Sequence, residues 1–438
     1  MAKANLDYRE VVEFLSRETA SGSDKEARFE NFRKALAKLA VREKIDFSAS
    51  DVILIAGTNG KGTVAKALES LLQRDDCRVG LYTSPHLIEI TERIRSHGTD
   101  ISNEELTDSF ETVRDLVEEF SLSHFEILTL IMVDVFFSGR KRSKIDCAIL
   151  EVGVGGRLDP TRAVPHQTSV ITRLGLDHVE LLGPTLAHIA AEKLAIIDPG
   201  NVVVHASFPP ETQEVVSRFR TVASTKWTPA QIYPHRIELH KERPIWILKT
   251  PWGEEIRLSL SGLRAVENVS LALEVLRARG VTLVSARSAL EQLAWPCRME
   301  GYQIAGFLAP IYLSGDHNPQ GVESLVEILA AWPYRNLFVV AGIGRSKNRE
   351  EMLKALAKLR ASSLILTSAP FRATPIEDYG DWLKRALRAE PDSKQALNFA
   401  LQSATPGDLI LVTGSLYLTG DLRGLIRAGQ FGCATAIS

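Results

Sequence analysis

For most of its length the chain alternates short apolar runs with amphipathic segments, the pattern of a parallel sheet covered by helices. Val11, Val12, Phe14 and Leu15, then Phe29, Phe32, Leu36 and Leu39, predict two helices between residues 6 and 40, broken at Ser21-Gly22-Ser23. Val52-Ile53-Leu54-Ile55 predicts a buried parallel strand, and the apolar positions Val64, Leu68, Leu71 and Leu72 beyond it predict a helix. A second short strand is expected over 79–83, ending at Ser84-Pro85-His86. Residues 84–100 are polar and read as a loop. Asn103 is placed to cap a helix running to Phe120, with Glu104 and Glu105 in its first turn. Residues 124–137 predict a more buried helix. Ile145 to Glu151 is an apolar strand ending in a carboxylate, and Ser169 to Thr172 is a further strand leading into Asp177-His178. A helix over 185–197 carries Glu192 and Lys193, and Val202-Val203-Val204 is another strand.

After residue 230 the period shortens. Ile237-Glu238-Leu239, Ile245 to Leu248 and Ile256-Arg257-Leu258 alternate around Pro and Gly turns, which predicts antiparallel hairpins appended to the parallel sheet. Asn268 falls in a helix expected over 267–279, and a last helix over 285–294 stops at Trp295-Pro296. The β-α alternation then restarts, with strands expected near 311–315, 337–343, 364–368 and 409–413. The expected fold is α/β: a phosphate-loop domain (1–297) with a mostly parallel sheet and appended antiparallel strands, then a smaller Rossmann-like domain (298–438).

Composition changes this picture little. A chain of 438 residues has room for two or three sizeable cores, and 45% hydrophobic with 24% charged residues is ordinary for a globular protein. A net charge of −2 gives no basis for nucleic-acid or membrane-surface binding. No apolar run approaches a membrane span, and Met1 to Glu10 has no signal-peptide core, so the cytoplasm is expected. Cys77, Cys147, Cys297 and Cys433 lie far apart and read as reduced thiols.

The candidate chemistry begins between the first apolar strand and its helix. Gly57-Thr58-Asn59-Gly60-Lys61-Gly62-Thr63 joins a strand to a helix N-terminus through a glycine-rich turn. Backbone N–H groups and the helix dipole there favour phosphate, Lys61 can reach the β- and γ-phosphates, and the Thr63 hydroxyl can meet Mg²⁺. The common phosphate-loop pattern is not met as written, because Gly62 separates Lys61 from Thr63. Glu151 and His178 follow strands of the same expected sheet, and Ser84 adds a hydroxyl. Glu and His are plausible ligands for a divalent cation beside a nucleotide. Each alone has a plain structural explanation; their joint placement at strand ends is what points to a site.

These residues belong to longer motifs: Tyr82 to Leu87, Phe125 to Thr129, Glu151 to Asp159, Gly175 to His178, Leu182 to Thr185, Ile189 to Lys193, His317-Asn318-Pro319 and Gly414 to Tyr417. Together they resemble folylpolyglutamate synthase and dihydrofolate synthase, members of the Mur ligase superfamily, from about Phe14 to Arg427. The resemblance implies a ligase that uses ATP to turn a carboxylate into an acyl phosphate, which the amino group of glutamate then attacks. It implies two Mg²⁺ ions, one held by Ser84 and Glu151, the other by His178 and a carbamylated Lys193. It implies nucleotide contacts from Gly57 to Thr63, Asn268, Arg298 and the position of Ser314. It also implies folate contacts from Ser123, His124, Phe125, Glu126, Leu158 and Asp159, with an active site between domains. The implied partners are ATP, glutamate and a reduced folate or dihydropteroate, with no nucleic acid and no membrane, and the chain is expected to be a monomer.

The chain departs from the family in its C-terminal part. Ser314 and Asp316 stand in Ser314-Gly315-Asp316-His317-Asn318-Pro319 where the family has Asp-Gly-Ala-His-Asn-Pro, and Ser346-Lys347-Asn348 replaces Asp-Lys-Asp. Pro160 and Arg162 replace Ala and Asn. Two alternatives therefore stay open: a ligase with a different pterin or amino-acid acceptor, and a nucleotide-binding regulatory relative without turnover.

Overall fold

The computed structural model describes residues 6–17, 24–73, 77–139, 145–222, 224–240, 243–283 and 285–437. The expected break at Ser21-Gly22-Ser23 lies outside them. By internal contacts the chain divides into two compact units, Met1–Ile232 with Asn268–Ala289, and Tyr233–Glu267 with Leu290–Ser438.

The first unit is built on an eight-stranded sheet. Its strands are β1 (Asp51–Ala56), β2 (Val79–Tyr82), β3 (Ile94–Ser96), β4 (Thr99–Asp100), β5 (Cys147–Glu151), β6 (Thr168–Ile171), β7 (Val202–His205) and β8 (Lys226–Pro229), in the order β4-β3-β2-β5-β1-β6-β7-β8. From β2 to β8 the neighbours are parallel. β1 lies at the centre, and Val52 to Ala56 are all fully buried, which explains its unbroken apolar run. The helix His124–Phe137 is apolar on every side and therefore buried, packing with Val11, Leu15, Phe32, Leu39, Phe110, Leu54 and Ile171 in one core.

Two local expectations need correction. Residues 84–100 are not one loop: they hold a 3₁₀ turn (Ile90–Arg93) and the strands β3 and β4, with β3 antiparallel to β2. Ile94-Arg95-Ser96 is too short to show a period, and pairing to β2 decides its state. The helix Asn103–Phe120 is capped by Ser102, not Asn103, in a capping box: Ser102 Oγ accepts from Glu105 N at 3.1 Å, and Glu105 Oε2 accepts from Ser102 N at 2.7 Å.

In the second unit β9 (His235–His240), β10 (Arg243–Lys249) and β11 (Glu255–Arg257) form an antiparallel sheet of their own. Trp246, Leu248 and Ile256 are buried, and Arg243 lies over the rings of Tyr312 and Trp332, each 5.8 Å away. A seven-stranded sheet follows: β12 (Arg298–Ile304), β13 (Ile311–Ser314), β14 (Leu337–Ala341), β15 (Ser362–Leu366), β16 (Arg388–Ala389), β17 (Leu409–Thr413) and β18 (Ala434–Ile437), ordered β16-β15-β14-β17-β13-β12-β18. The strands from β13 to β16 are parallel, whereas β12 runs antiparallel between β13 and β18. No helix among the described residues is long and apolar enough to cross a membrane.

Candidate active site

The glycine turn after β1 is fixed by close approach as much as by backbone angle. Gly57 has φ +151° and Gly60 φ +93°. A Cβ on Gly57 would sit 1.8 Å from Thr172 Oγ1, and one on Gly60 2.3 Å from Asn268 Oδ1, so neither position admits a side chain. The turn is tied to the chain beyond β6: Thr58 N donates to Arg173 O (2.9 Å), Thr58 Oγ1 to Gly175 O (2.9 Å) and Thr172 Oγ1 to Asn59 O (2.8 Å). The helix Lys61–Gln73 starts within the turn, with Lys61, Gly62 and Thr63 in its first turn, so N–H groups and the positive end of its dipole converge there.

Lys61 is held within the turn. Its side chain is 14% exposed, its Nζ donates to Gly57 O at 3.2 Å, and Glu151 Oε1 is 3.9 Å away. Glu151, the last residue of β5, is buried, and its other oxygen accepts from Ser84 N at 3.1 Å. The ends of β1, β2 and β5 thus bring Lys61, Glu151 and Ser84 into one corner.

Lys193 reaches the same turn from the helix Leu186–Leu194. It is buried, and its Nζ donates to Gly57 O at 2.8 Å. Burial, reinforced by the Lys61 charge, pushes its ammonium down to about 7, while Asp177, Asp159 and Glu192 pull the other way. Burial therefore disfavours the charged form of this lysine far more than that of an ordinary one. The turn Gly153–Arg157 packs against the helix backbone at Glu192–Lys193, where a Cβ on Gly156 would lie 2.5 Å from Glu192 O. Arg157 grips Glu192 (2.9 Å) and Glu26 (2.8 Å). His178 is exposed, has φ +50° and precedes the short helix Val179–Leu182.

The residues expected to hold folate cluster around the helix His124–Phe137 and the Gly153 turn. Glu126 is buried and closes the helix cap, its Oε2 accepting from Ser123 N and Ser123 Oγ, both at 2.6 Å. His124 Nδ1 meets Leu15 O at 2.5 Å, and burial pushes its imidazole down. Phe125 stacks against Tyr82 at 5.9 Å and fills the space beside Gly153. Asp159 is buried and accepts from Gly153 N (3.0 Å), Val154 N (3.2 Å) and Thr161 N (3.0 Å). Leu158 beside it is half-buried. Asp159 thus shapes the turn with its side chain, which its position in the sequence did not reveal.

For a metal, the described residues hold no cluster of three or more His, Cys, Asp or Glu side chains. Mg²⁺ takes one or two carboxylates and completes its shell with water and phosphate oxygens. Glu151 and the Ser84 hydroxyl are hard oxygen donors of that kind.

The second unit has its own strand-end group. Arg298 pairs with Ser314 across β12 and β13, and Ser314 Oγ donates to Asp316 Oδ2 at 2.6 Å. Burial pushes the Asp316 carboxyl up, and the Arg298 charge opposes it. Asn318 caps the following helix Pro319–Ala330. Asn348 caps the helix Arg349–Ala357 through Glu351 N at 3.3 Å, so this departure from an acidic residue has a structural use.

The pattern of the Mur ligase middle domain matches residues 55–276, and that of the Mur ligase glutamate ligase domain matches residues 298–416. A dihydrofolate synthase/folylpolyglutamate synthase of Bacillus subtilis is 32% identical over 395 residues, covering 85% of this chain and 90% of that protein. The chain belongs to the folylpolyglutamate and dihydrofolate synthase family of Mur ligases. The Escherichia coli member is 30% identical over 399 residues and covers 90% of each chain. The structure of E. coli FolC in complex with DHPP and ADP superposes with a TM-score of 0.81 at 26% identity, covering 98% of this chain and 100% of that one. Mycobacterium tuberculosis folylpolyglutamate synthase complexed with ADP and AMPPCP gives 0.82 at 26% identity, covering 95% and 98%. Within this Mur ligase, the glycine turn and the ends of β2, β5 and β6 carry the residues expected to bind nucleotide and metal. The ion pairs of Arg157 with Glu26 and Glu192, and the main-chain contacts of Arg173 with the glycine turn, were not legible in the sequence, because they join segments far apart in the chain.

Proposed function

We propose that this protein is an ATP-dependent amide ligase that adds L-glutamate to tetrahydrofolate through an acyl phosphate, with dihydropteroate as a second candidate acyl substrate. The observation that carries the reading is the corner of Lys61, Glu151, Ser84 and Lys193 around the glycine turn. The amides of Gly57–Thr63 cradle the polyphosphate, and Lys61 leaves its carbonyl partners to neutralise charge on the transferring phosphoryl group. Asn268, whose side chain lies against Gly60, holds the turn closed on the nucleotide. Mg²⁺, bound by Glu151 and Ser84, would screen the phosphates. Lys193, whose charged form burial disfavours, is suited to become the carbamate that, with His178, would hold a second ion. Ser123 to Glu126, Leu158 and Asp159 shape the acyl-substrate side, and Arg298 with Ser314 and Asp316 serves the nucleotide. ATP, glutamate and folate are the partners, and the protein is read as a monomer. Four free cysteines support a reducing compartment, the cytoplasm.

The test is phosphate release with a panel of folates and amino acids, with mass analysis of the products. Release that requires both glutamate and a folate, and a product heavier by one glutamyl residue, support the reading. Release with another acceptor only, or ATP binding without turnover, overturns it.

A further inference from the structure

The segment between β2 and β3 carries a polar group that the phosphate corner does not use. Arg93 is buried, 8% exposed, and its Nε–H donates to His86 Nδ1 at 2.8 Å. A guanidinium cannot accept a hydrogen bond. His86 Nδ1 therefore carries no proton, the imidazole is the neutral Nε2–H tautomer, and it presents one donor. The Arg93 charge also acts on Tyr82 and His124, so the surroundings favour an anion. The segment is held firmly: Glu92 accepts from Leu87 N (2.8 Å), Ile88 N (3.2 Å) and Glu89 N (3.1 Å), and Thr83 N donates to Arg93 O at 2.9 Å.

Two residues before His86, Ser84 N meets Glu151 in the corner assigned to phosphoryl transfer. Two residues of chain span at most about 7 Å. On the ligase reading, on which this inference rests, the acyl substrate ends in a glutamyl residue with two carboxylates, separated by the α-carbon and two methylenes. One reacts at the corner. The other needs a donor about one short side chain away.

We propose that His86, its tautomer set by Arg93, holds the non-reacting α-carboxylate of the glutamyl-ended substrate and so directs the γ-carboxylate to the phosphate turn. His86 is then a substrate-positioning residue, and Arg93 acts through it. Dihydropteroate has no α-carboxylate, so the contact serves chain extension and not the first glutamylation.

The test compares kcat/KM for tetrahydrofolate with that for its α-carboxamide analogue, in the wild type, His86→Leu and His86→Gln. The wild type should prefer the carboxylate by roughly ten- to a hundredfold, the range for a hydrogen bond to a charged group. His86→Leu should lose that preference through a raised KM for tetrahydrofolate, with the carboxamide barely affected. His86→Gln, whose amide N–H can reach the Nε2 position, should restore most of it. If His86→Leu does not fold, His86→Asn, with a shorter side chain that withdraws the donor, is compared with His86→Gln on the same ratio. An undiminished preference in the variants overturns the assignment. Equal losses on both substrates overturn it too, and give His86 to the phosphoryl group. Wild-type phosphate release with tetrahydrofolate and glutamate separates these outcomes from failure of the ligase reading itself.

Discussion

The two parallel sheets end in different chemistry. At the ends of β1, β2 and β5 a buried carboxylate, Glu151, is held by the Ser84 backbone N–H and faced by Lys61, with Lys193, lowered by burial to about 7, bonded to the same turn. At the ends of β12 and β13 the carboxylate is Asp316, held by the Ser314 hydroxyl and faced by Arg298. In the first unit the positions are enforced largely by backbone: Gly57 and Gly60 admit no side chain, and bonds from Thr58 N to Arg173 O and from the Thr58 hydroxyl to Gly175 O lock the turn. In the second the arrangement is carried by side chains, which can be exchanged. A site built from backbone keeps its motif, whereas one built from side chains can shift an acid by two residues and keep a carboxylate at the strand end.

The largest expected effect is in the backbone-built site. Lys61→Ala should lower kcat by a factor of roughly 10² to 10³ or more, as for removal of one preorganised charge-stabilising group. The unfolding midpoint should stay near that of the wild type. Steady-state phosphate release and thermal unfolding on the same preparation check this, and near-normal turnover at saturating ATP would remove Lys61 from the chemistry.

Lys193→Met sharpens the contrast between function and stability. A buried amine whose charged form is already disfavoured costs little to replace by an apolar chain of similar length. The variant should lose ligation while unfolding at the wild-type temperature or above. Full activity in Lys193→Met would rule out a carbamate at this position.

The side-chain-built site should respond by smaller steps. Asp316→Ala should weaken ATP by roughly ten- to a hundredfold, the value of a charge-assisted hydrogen bond. It should matter less once Ser314→Asp is present. Calorimetric titration of the two single variants and the double variant reads this coupling. If Asp316→Ala leaves ATP affinity unchanged, Asp316 has not taken over a carboxylate's task.

The smallest effect is on pH dependence. Burial lowers His86 to about 4, and lowers His124 and His205. The unfolded chain takes up these protons near 6.5 and the folded chain only at lower pH. The stability they contribute is therefore complete above pH 6.5 and is lost as pH falls through the window down to about 4, at up to about 1.4 kcal/mol per pH unit for each group. Burial raises Asp316 in the second unit and Asp159 in the first, so their protonation favours each folded unit alike as pH falls. The three histidines, all in the first unit, set the difference. Denaturant unfolding between pH 7 and 4, followed by hydrogen exchange, should show the first unit weakening first. Loss beginning in the second unit would contradict this ordering.

Sequence patterning was most informative where one physical demand dominates. The helix over 124–137 has no polar face, and the structure places it at His124–Phe137. The contacts of Lys61 with the Gly57 carbonyl and Glu151 were not legible in the glycine-turn motif, because Glu151 comes from a strand 90 residues further on. The burial of Lys193 was not legible from its own helix, because the turn packed against it at Gly156 lies 37 residues earlier in the chain. β12 and β18 went unseen: antiparallel pairing, with a bulge between Arg298 and Glu300, leaves Arg, Glu and Gln within β12 and no clean alternation.

The central claim is that the corner of Lys61, Glu151 and Ser84 activates a carboxylate by phosphorylation. Labelling the γ-carboxylate of the folate substrate with ¹⁸O and analysing the phosphate released during glutamate ligation tests it most directly. The account predicts one ¹⁸O atom transferred to each phosphate, in the wild type and in whatever slow turnover Lys61→Ala retains. Phosphate released without label, at a rate matching amide formation, would contradict it.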